Sequence, residues 1–150
     1  MIRRLALVAL LLGGTAASAH QVTSTWVGHY ICAQGITAVN LTIIEGKGRA
    51  VDAWFHFQAP PDNPAVPTGC YTMTGTYDGP TRQLHLHPGG WLHHPAYYEM
   101  VSLTGEVSAD GAALEGVINH ASCGRFATVR RAGRAATRPC RDGEPLLSMH

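Results

Sequence analysis

The sequence lacks the apolar run that a membrane-spanning helix requires. Past its N-terminal segment no stretch approaches the roughly 20 consecutive apolar residues that cross a bilayer. It also has no C-x-x-C pair, G-x-S-x-G turn, H-E-x-x-H helix or glycine-rich phosphate loop. We therefore expect no membrane span, no zinc knuckle and none of the common hydrolase or nucleotide-binding chemistries, and we predict a non-enzymatic protein without a cofactor.

Charged residues are few and unevenly distributed. They make up 14% of the chain, with a formal net charge of +1. Three basic and eight acidic residues lie between His20 and Gly124, whereas six arginines and no acidic residue lie between Arg125 and Arg141. A basic tail can hold an anionic surface or nucleic acid, but most such termini are simply solvated. We expect no nucleic-acid partner and assign residues 132–150 to a basic C-terminal tail.

The N-terminus has the pattern of an export signal. Arg3 and Arg4 precede an apolar run, and Ala17-Ser18-Ala19 supplies the small-x-small pattern that signal peptidase recognises. We therefore predict a signal peptide over residues 1–19 and a mature protein that is periplasmic or secreted.

The exported portion alternates apolar and polar residues with period two, which is typical of strands, and few windows show helical spacing. Eight successive strands are predicted, with a proline-rich loop at 59–68 and a second loop at 88–95. The sixth strand is expected over 98–107 and the eighth over 123–129. The remaining connections are short turns rich in glycine and aspartate.

Eight strands joined mostly by short turns leave two exposed sheet edges unless the sheet closes on itself. The predicted fold is therefore all-β, a single small eight-stranded antiparallel up-and-down β-barrel over residues 20–131. A β-sandwich is the alternative. A barrel of this size has an interior just wide enough for side chains or one small ligand.

Four cysteines lie in the exported portion, where an oxidising compartment favours disulfides. In a closed barrel the first and last strands are neighbours, so that Cys32 can meet Cys123. Cys70 and Cys140 would then pair and tie the tail to the barrel. The other connectivities stay open.

The pattern resembles the calycin group, the avidin-like and lipocalin-like barrels. In that group the first strand carries an inward tryptophan near a glycine, and a basic residue of the last strand packs over it. Trp26 with Gly28, and Arg130 or Arg131, occupy those places here. The resemblance implies a ligand-holding barrel. Tyr30-Ile31-Cys32 followed by Gly35 is also similar to the small periplasmic inhibitors of lysozyme, which are eight-stranded barrels.

Large side chains on the inferred inner faces are the candidates for ligand binding, because such a set can line an apolar pocket with a few orienting hydroxyls. The alternative is that they only fill the core. The candidates are Trp26, Tyr30, Phe55, Phe57, Tyr71, Met73 and Tyr77.

Three histidines are candidate metal ligands. His85 and His87 lie two apart on one strand face, which allows both rings to reach one copper or zinc ion. Cleavage after Ala19 would make His20 the mature N-terminus, which offers an amine and an imidazole together. That arrangement resembles the copper brace of secreted lytic monooxygenases and the site of small periplasmic copper carriers.

The function predicted from the sequence is binding of a small ligand, a peptide or an envelope partner by a secreted barrel. The alternatives are a copper-binding protein that uses His20 and an inhibitor of a cell-envelope enzyme.

Overall fold

Eight antiparallel strands form a closed barrel in the computed structural model, which describes residues 21–135 and residue 140. Each strand pairs with the next along the chain, and β1 pairs with β8 to close the sheet. No helix that could cross a membrane occurs in this part of the chain. The predicted up-and-down barrel is confirmed and the sandwich alternative is wrong. The strands are β1 (Ser24–Cys32), β2 (Gly35–Glu45), β3 (Ala50–Gln58), β4 (Gly69–Asp78), β5 (Gln83–His93), β6 (Ser102–Val107), β7 (Ala113–Asn119) and β8 (Arg125–Arg130).

Up-and-down connections send alternate turns to opposite ends of the barrel. One end, here called the mouth, carries the connections at 33–34, 59–68, 94–101 and 120–124. The other end, here called the turn end, carries the tight connections at 46–49, 79–82 and 108–112. The two longest connections, at 59–68 and 94–101, therefore both lie at the mouth.

Side chains on each strand alternate between the interior and the outer face, as the pleat of a strand requires. In β3, Val51, Ala53, Phe55 and Phe57 are buried, whereas Asp52 between them is exposed. The same period continues around the barrel and produces one contiguous apolar core. A slip of one residue would move the inward side chains of a strand to the outer face, so the burial of the core fixes the register of the strands.

The predicted loop at 88–95 is wrong in its first part, because β5 continues through Pro88 and two glycines to His93. The β4–β5 pairing shifts register in this stretch, between Cys70 and Met73. Thr72 keeps β4 and β5 hydrogen-bonded at this shift. Its hydroxyl accepts a hydrogen bond from the Gly90 amide at 2.9 Å and donates one to the Gly90 carbonyl at 3.3 Å. The side chain thus replaces backbone ladder bonds at a bulge.

The sixth and eighth strands are shorter at their beginnings than predicted, since β6 starts at Ser102 and β8 at Arg125. Residues 98–101 instead belong to the β5–β6 connection at the mouth. Tyr98 and Val101 are held there by contacts with the barrel interior. Tertiary contacts therefore decide this boundary, where the local alternation favoured a strand.

Two disulfides join Cys32 to Cys123 and Cys70 to Cys140. The first links the end of β1 to the connection that precedes β8, across the closure of the barrel. The second ties position 140 to β4. This is the pairing that barrel closure predicted, and two disulfides are typical of proteins in an oxidising, extracellular or periplasmic environment.

The turn end contains the pair of residues that carried the resemblance to calycin barrels. Trp26 is fully buried, and Arg130, not Arg131, packs over its ring. The architecture and this pair are consistent with a calycin-like barrel.

Candidate functional site

A cavity of about 300 Å³ opens at the mouth of the barrel. Its volume lies at the lower end of the range typical of small-molecule sites. The residues that line the cavity belong to β1, β3 and β4 and to three of the four mouth connections. The aromatic side chains among its lining residues are Tyr30, Phe55, Phe57, Tyr71, Tyr97 and Tyr98.

The aromatic wall is held together by ring contacts between neighbouring strands. The ring centroid of Phe55 lies 5.2 Å from that of Tyr30, edge to face, and 5.1 Å from that of Tyr71, stacked. Phe57 stacks on Tyr98 at 5.5 Å. Such pairs stabilise by about 0.5–1.5 kcal/mol each beyond their area burial. The wall is consequently organised before any ligand arrives.

Tyr30 places a hydroxyl group on this wall. Gln34 Nε2 donates hydrogen bonds to the Tyr30 hydroxyl at 3.4 Å and to Thr37 Oγ1 at 3.2 Å. Burial of the ring raises the pKa of the Tyr30 phenol well above its usual value near 10, although its hydrogen bonds oppose the shift. The group therefore stays neutral, and able to donate a hydrogen bond, at every physiological pH.

Tyr71 fixes the connection between β5 and β6. Its hydroxyl donates to the Val101 carbonyl at 3.2 Å and accepts from the Val101 amide at 3.3 Å. Burial raises the pKa of Tyr71 as well, which keeps the phenol neutral and the double hydrogen bond intact. This contact holds the segment that carries Tyr97, Tyr98 and Glu99 against the barrel.

Glu99, His120 and Ser122 form a polar chain at the rim of the cavity. His120 Nε2 lies 3.3 Å from Glu99 Oε2. His120 Nδ1 lies 2.8 Å from Ser122 Oγ, and it accepts a hydrogen bond from the Ser122 amide at 3.2 Å. An imidazole that accepts at Nδ1 and carries its proton on Nε2 satisfies every one of these contacts.

The two connections of this rim are joined covalently and through the backbone. Cys32 and Cys123, which form a disulfide, both line the cavity. The Gly124 amide also donates to the Ile31 carbonyl at 2.8 Å. The first and the last mouth connections thus form one rigid side of the opening.

The structure brings together four of the seven side chains predicted to bind a ligand, since Tyr30, Phe55, Phe57 and Tyr71 line the cavity. The other three are buried in the core and are not among the lining residues. These are Trp26, Met73 and Tyr77.

Two of the three predicted metal ligands, His85 and His87, belong to no group of three or more potential metal ligands in the described part of the chain. His85 and His87 are exposed on the outer face of β5, away from the cavity. Within residues 21–135 and 140, no three histidine, cysteine, aspartate or glutamate side chains are grouped so that they could hold a metal ion. His20 lies outside the described residues.

Sequence reasoning missed several residues of the mouth connections, above all Gln34, Glu99 and Ser122. These positions carry no motif. The signal that could have found them is topological: in an up-and-down barrel the first, third, fifth and seventh connections meet at one end.

No family model matches the chain, and no curated protein is similar to it in sequence.

Proposed function

We propose that this protein is a non-enzymatic binding barrel that holds a small organic molecule in the cavity at its mouth. The proposal rests on a difference in how side chains fill the two ends of the barrel interior. At the turn end large side chains fill the interior, with Trp26 and Leu84 fully buried. At the mouth the interior is left open over about 300 Å³.

The organisation of the cavity supports the proposal. Binding sites are typically concave, mostly apolar and already formed, with a few polar groups that orient the ligand. The aromatic wall, the neutral Tyr30 hydroxyl and the Gln34 amide match that description. Because ring contacts and hydrogen bonds already hold these groups, little conformational entropy is lost on binding.

The chain of Ser122, His120 and Glu99 raises the alternative of a serine hydrolase, and its surroundings favour binding instead. Acyl transfer needs backbone or side-chain donors that point at a developing oxyanion. The amides that follow Ser122 are already engaged, since Cys123 donates to the His120 carbonyl and Gly124 to the Ile31 carbonyl. The Ser122 amide itself donates to His120.

The proposed location is the periplasm or the extracellular space. Its support is the pair of disulfides, which persist in oxidising compartments, together with the signal-peptide pattern of residues 1–19.

A neutral apolar dye tests the proposal without knowledge of the natural ligand. Ala33 is exposed and lines the cavity, so that Ala33→Trp would obstruct it. Ala112 is exposed in a turn at the opposite end, and Ala112→Trp is the matched control. We expect N-phenyl-1-naphthylamine to gain fluorescence with the wild type and with Ala112→Trp, and to lose most of that gain with Ala33→Trp.

Circular dichroism and the Tm of each variant verify folding. If the dye binds Ala33→Trp as tightly as the wild type, or binds none of the three proteins, the cavity is not a ligand site.

A further inference from the structure

We infer that the cavity selects a weakly hydrated organic cation, such as the head of a quaternary or highly alkylated ammonium compound. This inference rests on the proposed function, because it names the class of ligand that the same cavity takes. Three features of the described residues lead to it: the aromatic composition of the wall, the carboxylate at the rim and the scarcity of unpaired hydrogen-bonding groups among the buried lining residues.

The wall presents aromatic rings to the cavity from several directions. Tyr30, Phe55 and Tyr71 belong to three different strands, and Tyr97 and Tyr98 to the β5–β6 connection. The face of an aromatic ring carries partial negative charge and attracts a cation placed within about 6 Å of its centre. Rings on several sides of one cavity form the arrangement that is used to recognise quaternary ammonium groups.

The rim adds a carboxylate without a competing basic side chain. Glu99 lines the cavity, and its side chain is 79% exposed. His120 Nε2 lies 3.3 Å from its carboxylate, and because His120 Nδ1 accepts from the Ser122 amide, the ring can donate a hydrogen bond to Glu99 through Nε2. No lysine or arginine of the described chain lines the cavity. The carboxylate can therefore act on a ligand, while an anion would meet no compensating charge.

The scarcity of hydrogen-bonding groups deep in the cavity favours an alkylated cation over a primary ammonium. A primary ammonium has three N–H donors, and burying them unpaired is costly. The buried lining residues are mostly rings, and their two hydroxyls are already engaged: that of Tyr71 bonds Val101, and that of Tyr30 accepts from Gln34. An ammonium group covered by methyl groups has no N–H donors that need partners, and its positive charge is still attracted to the faces of the rings.

Choline and 3,3-dimethyl-1-butanol test the inference, because the two have the same shape and differ in charge. Calorimetric titration of the wild type at low salt should give an affinity about tenfold higher for choline than for the neutral alcohol. Ethanolamine, with a primary ammonium, should bind more weakly than choline. Equal or tighter binding of the alcohol, or binding of neither compound, would overturn the cation preference.

Two charge-neutralising variants separate the effect of the rim carboxylate from that of the other acidic residue in the described mouth connections, Asp62. Glu99→Gln should lower the affinity for choline about threefold or more and leave that for the alcohol unchanged. Asp62→Asn lies at the same end but outside the cavity lining, and should leave both affinities almost unchanged. An unchanged choline affinity in Glu99→Gln contradicts the role of the carboxylate.

The dye experiment keeps the two proposals distinguishable. If N-phenyl-1-naphthylamine binds at the mouth while choline shows no advantage over its neutral analogue, the cavity is a ligand site and only the inferred class is wrong. If the dye fails as well, the ligand site itself is wrong.

Discussion

The guanidinium carbon of Arg130 lies 4.3 Å from the centre of the Trp26 ring. Arg130 also donates hydrogen bonds to the carbonyls of Gly111 at 2.7 Å, Thr23 at 3.3 Å and Gln21 at 2.6 Å. One side chain thus covers the turn end of the core and joins the last strand to the segment that precedes β1.

Arg130→Lys should destabilise the barrel even though it keeps the charge. Lysine cannot reproduce the planar fork of donors, so the variant loses hydrogen bonds to the three carbonyls as well as ring stacking. We expect the free energy of unfolding to fall by about 1–3 kcal/mol, measured by urea unfolding. Arg131→Lys, the adjacent residue, should change it by less than about 0.5 kcal/mol. Equal effects of the two substitutions would contradict this role of Arg130.

Gly28→Ala should disrupt the closure of the barrel. A β-carbon at Gly28 would overlap the backbone of Ala127 and Thr128 in β8. We expect a loss of about 2–4 kcal/mol in unfolding free energy, because backbone atoms must move to admit the methyl group. Gly90 is the matched control, since a β-carbon there would meet nothing within 4 Å. A Gly28→Ala protein as stable as Gly90→Ala would show that the two end strands are not packed this closely.

The buried phenols predict a loss of stability at alkaline pH. The folded-state pKa of Tyr30 and that of Tyr71 are raised by burial, so the folded protein keeps protons that the unfolded chain releases. Their contribution to stability is therefore complete below about pH 10 and declines as the pH rises toward the folded pKa. Each group adds up to about 1.4 kcal/mol per pH unit to that decline.

Urea unfolding between pH 8 and 11 measures this slope. Tyr30→Phe and Tyr71→Phe should each make the decline shallower than in the wild type, and the double variant shallower still. Basic side chains that also lose protons in this range are common to all four proteins. An unchanged slope in the double variant would mean that these phenols ionise as readily in the folded state as in the unfolded chain.

Tyr97 is expected to contribute to binding at the expense of stability. It is fully exposed, has a φ of 66° and lines the cavity. A large side chain in that backbone region is strained, whereas glycine is not, and such strain is found preferentially at functional sites. We expect Tyr97→Gly to keep or raise the Tm and to weaken the binding of choline. Tyr97→Leu separates the two effects, because it keeps the strain and removes only the ring. A Tyr97→Gly variant with unchanged choline affinity would remove Tyr97 from the site.

The strands were predictable where the alternation was uninterrupted. In β3 the apolar positions repeat every second residue and a glycine-containing turn precedes the strand, so both the strand and its inner face could be predicted from the sequence. The extension of β5 to His93 could not be predicted from the sequence, because proline and glycine normally end a strand. It depends on the hydroxyl of Thr72, which lies on another strand and bonds Gly90.

The candidate site was predictable only in part, for a related reason. Alternation shows that a side chain points inward, but not whether the space in front of it is filled. Tyr30 and Trp26 lie on the same face of β1, yet only Tyr30 lines the cavity. Glu99 and His120 lie in two separate connections, and no local pattern relates them.

By itself, the sequence determined the elements: a period-two pattern that makes strands, turn residues that reverse them, and cysteines placed to join the ends. These are local properties, set by backbone sterics and by the alternation of side chains. Only the tertiary structure decided where the interior stays open and which charged and aromatic groups surround the opening. Those features depend on how residues distant in sequence fill a shared volume, which no short stretch of chain encodes.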